Sequence, residues 1–222
     1  MAGAIERTTS RDVADMLAAL VRSDGSASHP YVSDRPIAAS AEATRNLADA
    51  AHYLCTLHGR HPGVVDIAQD KSGLKAATDW LEGAVDGFAR ERTYLTKLVV
   101  AAGPLPSTPG QAASEAAVIA QRHAIEMLAG SDRAGCALGA AMAMVLDWRA
   151  VRRVIDTAAR RFSVEPPVMI LPNAEETRST IVAVASTPAL ERAILFGAQQ
   201  ILVQHRGLWD LLEARHLARR DQ

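Results

Sequence analysis

The chain has 222 residues, 49% of them hydrophobic, enough to bury a substantial core within the size range of one domain. Lys and Arg number 24 against 25 Asp and Glu, so the formal charge is −1 and no overall electrostatic pull toward nucleic acid or anionic lipid is encoded. Cys55 and Cys136 lie in apolar helical patterns without CxxC or zinc-ligand spacing, Met1 to Asp12 holds no apolar signal core, and no run approaches the ~18 apolar residues of a membrane span. A reduced, cytoplasmic protein outside the membrane is the expectation.

From Thr9 to Val21 the residues Val13, Met16, Leu17, Leu20 and Val21 fall at helical spacing, with Ser10 or Thr9 as N-cap. Asp24-Gly25-Ser26 ends that helix, and the polar stretch through Pro30 and Pro36 reads as an ordered loop. Ile37 to Gly59 is the next helix, with Leu47, Ala51 and Leu54 on the apolar side and Arg45, Asp49 and His52 on the other. His61-Pro62-Gly63 turns the chain into a brief helix ending near Gln69. Leu74 to Ala102 carries a continuous 3.6-period stripe, and Gly103-Pro104 stops it. Thr108-Pro109-Gly110-Gln111 then reads as an N-cap, a first-position proline and a capping-box glutamine for a helix to Ala129.

Ser131 to Phe162 is the centre of the arrangement. After Arg133 the run to Leu146 is small or apolar at every position, and a helix that is apolar all round must be covered all round. Gly135, Gly139 and Ala143 recur every fourth residue and leave one side nearly without bulk, so a neighbouring backbone can approach closely. Ser131 or Asp132 is the expected cap. In the second half Arg149, Arg152, Arg153, Asp156 and Arg160 share one side, while Trp148, Val151, Ile155 and Ala158 share the other. Pro166 to Pro172 cannot be helical and is read as an extended connection. Asn173-Ala-Glu-Glu176 is a capping box for a helix to about Ala185, and Thr187-Pro188 opens a last long helix to about Arg219. The expectation is a single all-α domain over 1–222, a bundle of six or seven main helices around the buried 131–162 helix.

Projection at 100° per residue leaves four ionisable side chains pointing toward the core, each from a different helix: His58, Glu91, Asp147 and His205. Asp147 is surrounded by alanine and valine on its own helix, so its partner must come from elsewhere, and His205 is the nearest candidate in pattern. Two readings follow: a structural network closed by an arginine such as Arg92 or Arg149, or one small-molecule pocket in the bundle interior. A metal site is disfavoured, since a di-iron centre needs Glu-x-x-His on paired helices and the spacing occurs once, at Glu213-Ala-Arg-His216. His123-x-x-Glu126 falls on a solvated face, and His52 projects away from His58.

Three segments, Cys55 to Asp66, Gly103 to Gly110 and Ser131 to Gly139, resemble a family of uncharacterised bacterial proteins over roughly the middle of the chain. That resemblance implies a bacterial, cytoplasmic, all-helical domain and no assigned chemistry. In helix number and length the chain is also similar to haem-oxygenase-like bundles, although the 9–21 helix contains no histidine to ligate haem. Enzymatic activity is left open. The first functional reading is a small-molecule-binding or interaction module, and the alternative is a haem-oxygenase-like enzyme acting on a small organic molecule at the four-residue cluster. Leu202, Trp209 and Leu212 on the last helix exceed what one central helix covers, which suggests a homodimer through that helix.

Overall fold

The computed structural model describes residues 2–34 and 36–220, with side chains from Asp12 onward. The chain is all-α, and no strand occurs among the described residues. The helices are α1 (Ala2–Asp24), α2 (Pro30–Ser33), α3 (Pro36–Ala39), α4 (Ala43–His58), α5 (Val64–Lys71), α6 (Thr78–Ala102), α7 (Gln111–Ala129), α8 (Cys136–Arg161), α9 (Ala174–Val184) and α10 (Pro188–Arg220). Seven of these have eleven residues or more. No described helix is long and apolar enough to cross a membrane.

Every residue from Cys136 to Val145 is buried, as an all-round apolar helix requires. The cover comes from α10, α5, α4, α7, α6 and α1, with α10 making the most extensive contact. Small residues make that contact close. A β-carbon on Gly139 would collide with the backbone carbonyl of Ile194, and one on Gly197 with that of Cys136, so each helix presses its glycine against the other's main chain. Leu202, Trp209 and Leu212, the side chains that suggest a dimer surface, are fully inside this packing. The homodimer thereby loses the patch on which it was based.

Several boundaries differ from the sequence reading. Helix α1 begins at Ala2, so Thr9 and Ser10 lie within it rather than capping it. The stretch expected as a loop holds a 3-10 turn at Ser26–Ser28 followed by α2 and α3. A break at residues 40–42 separates α3 from α4, and the Asn46 amide, donating to Ser40 Oγ at 3.1 Å, ties across it. Pro109 lies ahead of α7, and Gln111 is its first residue rather than its capping-box residue. Its N-cap is Gly110, at φ 72°, and the N-cap of α8 is Gly135, at φ 89°, in place of Ser131 or Asp132. Both turns need a left-handed residue, which glycine supplies without the Cβ penalty. Asn173 does cap α9 as expected, accepting from the Glu175 and Glu176 amides while Glu176 accepts from Asn173 N–H. The 163–173 stretch is non-helical, and Leu171 packs against Gly87 of α6.

The close α8–α10 approach makes a direct prediction. Gly139→Ala should cost about 1–3 kcal/mol through overpacking, since the atoms it meets are backbone and cannot rotate away. A urea-denaturation midpoint unchanged from wild type would contradict the packing described.

Candidate functional site

Three of the four core-facing residues, Asp147, His205 and His58, meet, and Glu91 lies on the far side of Trp148 from them. Asp147 Oδ1 accepts the Ser26 backbone N–H at 2.7 Å, and its Oδ2 accepts the Ser26 hydroxyl at 2.5 Å and faces His205 Nδ1 at 2.7 Å. Trp209 Nε1 donates to the same Ser26 hydroxyl at 2.8 Å. On the far side of the imidazole, His205 Nε2 lies 3.0 Å from His58 Nε2. The His58 ring stands edge-on to Trp148, with centroids 5.4 Å apart. Trp148 Nε1 donates to Glu91 Oε2 at 2.9 Å, and Arg152 Nη1 donates to Glu91 Oε1 at 2.7 Å. Arg152 continues the line through Nε to Asp156 Oδ1 at 3.0 Å, where the Tyr94 hydroxyl also donates at 2.9 Å.

Local structure explains the convergence. Gly25 ends α1, so the 3-10 turn can lay the Ser26 N–H and O–H against α8 from one side. Asp147 and Trp148 are consecutive on α8, and they face α10 and α6 respectively. His58 is the last residue of α4, at the end of the Leu47, Leu54 stripe. All four predicted residues are buried, and their charges are met by hydrogen bonds rather than by water.

The carboxylate dictates the tautomers. Asp147 can only accept, so His205 carries its proton on Nδ1, and a neutral His58 must then donate from Nε2 to the bare His205 Nε2. Burial, with the neighbouring His205, holds His58 well below the ordinary imidazole range, so it is neutral near pH 7. Burial raises the Glu91 carboxyl, opposed by the hydrogen bond from Trp148 and by Arg152.

The arginine that closes the network is Arg152, in place of Arg92 or Arg149. Arg92 instead forms a two-pronged pair with Asp66, at 2.8 and 3.2 Å, and Arg149 is exposed. The solvated face expected for Arg152 is corrected accordingly: it is buried, with its third contact to the Pro167 carbonyl at 2.9 Å. His52 binds the Gly103 carbonyl at 2.8 Å, and His123 pairs with Glu126 at 3.0 Å on the surface. Among the described residues no group of three or more His, Cys, Asp or Glu is arranged to hold a metal.

A second buried cluster escaped the sequence reading. Asp49 receives both prongs of Arg215 at 3.0 Å and Arg219 Nη1 at 2.7 Å, and it is completely buried despite its projection beside Arg45. Thr108, expected as a helix cap, instead accepts from Arg215 and Arg219. The available signal was the continuation of the Leu208, Leu212 stripe at Arg215 and Arg219.

Two cavities touch the first network, one at each end. Beside His58 is a cleft of about 30 Å³, also lined by Arg60, Arg92, Arg122 and Glu126. At the Asp156 end lies a groove of about 620 Å³ between α2, α3 and α4 on one wall and the second half of α8 on the other. Its buried lining is Ile37, Leu47 and Val154, while Arg153 and Arg160 stand exposed at the rim. Arg160 Nη2 donates to Thr157 Oγ1 at 2.9 Å, and Arg153 forms no ion pair among the described residues.

The described residues form an all-α bundle of ten helices organised by buried polar lines. Residues 21–220 match the model of a family of unknown function, DUF6975, and the chain belongs to that family. No curated protein and no solved structure matches the chain.

Two outcomes are expected. Asp147→Leu or His205→Leu alone should cost about 1.5–3 kcal/mol, the range for a hydrogen bond to a charged group, whereas Asp147→Leu/His205→Leu should lose less than the two separate losses combined, with recovery limited because the Ser26 N–H and O–H and the His58 Nε2–H lose their acceptors. Strictly additive losses in a denaturation cycle would contradict the pairing. Stability should also fall as pH drops below about 6.5, by up to about 1.4 kcal/mol per pH unit for each proton that the unfolded chain binds and the folded chain does not. His58 and His216, both lowered by burial, contribute in the same direction, and His58→Gln should flatten the slope between pH 7.5 and 5.5.

Proposed function

We propose that the protein is a small-molecule-binding module and that its ligand is an organic anion with an apolar body, seated in the groove between α2–α4 and the second half of α8. The observation that carries this reading is the joining, in one cavity of about 620 Å³, of an apolar floor and two exposed arginines. Ligand pockets typically enclose about 300–1,000 Å³ and combine apolar walls with a few placed polar groups. Guanidinium groups suit carboxylate and phosphate geometry, and among the described residues Arg153 has no carboxylate partner to displace. Glu91 and Asp156 hold the buried Arg152 between them, so Glu91 supports the α8 wall of the groove from behind. Catalysis at the cluster on an organic molecule, as a haem-oxygenase-like enzyme would need, finds no comparable space: the cleft at His58 has room for about one or two waters. The free thiols of Cys55 and Cys136 support a reducing, cytoplasmic setting.

Calorimetry with octanoate, octanol and octylamine provides the test. Octanoate should bind best, and Arg153→Ala/Arg160→Ala should weaken it by at least about tenfold, or ~1.4 kcal/mol. Equal binding of octylamine, or a double variant with unchanged octanoate affinity, would refute the assignment.

A further inference from the structure

We infer that Asp147, His205 and His58 form a proton relay whose outlet is the cleft between α4, α5, α6 and α7, with His58 acting as a general base toward a water or a weak acid of similar size held there. This inference is independent of the groove. His205 is almost wholly buried and among the described residues reaches two polar partners, Asp147 through Nδ1 and His58 through Nε2. His58 lines the cleft, and with its Nε2 engaged by His205, Nδ1 is the nitrogen left to meet a molecule there.

The step balances without any further reactant. A proton leaves the weak acid in the cleft and bonds to His58 Nδ1, while the His58 Nε2–H bond breaks and a new N–H bond forms at His205 Nε2. His58 remains neutral as the other tautomer, and the positive charge moves to His205. There its Nδ1–H faces a carboxylate already fixed by both the N–H and the O–H of Ser26. The conjugate base remains in a cleft whose wall carries Arg60, Arg92 and Arg122 against Glu126, with Asp66 already committed to Arg92. Trp148, the other ring against His58, donates to Glu91 and offers His58 no competing acceptor. The arrangement follows the logic of a carboxylate-oriented imidazole base, with one more imidazole inserted so that the base reaches a different helix and a different surface.

Nitrogen-detected NMR of the full chain tests the relay. In the wild type at pH 7.5, His205 should carry its proton on Nδ1 and His58 on Nε2. His58→Gln retains a donor toward His205 Nε2 and cannot pass a proton on. Exchange of the His205 ring proton with solvent should slow by at least about tenfold in that variant, because the buried ring would then exchange only through opening of the fold. The opposite tautomers would overturn the relay from the wild-type protein alone. Unchanged exchange in a folded His58→Gln variant would overturn it equally.

Discussion

A carboxylate with almost no solvent contact stands in the middle of the most buried helix, and the arrangement of the bundle follows from satisfying it. Asp147 has no polar neighbour on α8 within reach, so its donors come from the turn after α1 and from α10. An uncompensated buried charge costs several kcal/mol, which is a large fraction of the stability of a domain of this size. Any packing that moves α1 or α10 away from α8 therefore meets a steep penalty. This matters because the α8–α10 contact itself is smooth. Gly139, Ala143 and Gly197 let the backbones touch but present no knobs to oppose sliding, so the Asp147–His205 bond supplies the register that the small residues leave undefined.

The same division of labour recurs along α10. Near its middle, His205 and Trp209 join the Asp147 centre; two turns later Arg215 and Arg219 enclose Asp49 of α4 and Thr108 ahead of α7. On the other side of α8, Glu91 and Asp156 enclose Arg152. Asp49 and Arg152 are met by opposite charges from distant parts of the chain, and Asp147 by hydrogen bonds from Ser26 and His205, the kind of partnering that makes burial of ions tolerable. Apolar burial gathers the helices, and these few polar centres select one mutual alignment.

The parts of this arrangement visible in the sequence are those in which burial repeats along a helix. The unbroken apolar run after Arg133 required cover on every side, and His58, Glu91, Asp147 and His205 stood out as exceptions to apolar stripes. Asp49 was hidden because α4 is buried from Asn46 through Ala51, on more than the one face its stripe suggests. Arg152 was assigned to the polar face with Arg149 and Arg153, yet it also lies one turn after Trp148. Its long side chain follows the indole toward the same Glu91 carboxylate. Cap residues misled for a different reason. Threonine and serine can cap a helix, but Thr108 serves two arginines from α10, and the turns before α7 and α8 require backbone angles that glycine adopts most readily.

Completeness also limits where such a network can act. In its interior each donor and acceptor already has a partner, so admitting a ligand would break one charged contact for each new one made. Its ends are not bound by that limit. At one end, His58 has a second nitrogen and a cleft beside it; at the other, Asp156 is only half-buried, one turn from Arg160 and three residues from the exposed Arg153. Exchange with solvent or ligand at these ends leaves the Ser26–Asp147–His205 contacts intact. Buried polar side chains can thus maintain helix register in the centre while presenting reactive or binding groups at two separate surfaces.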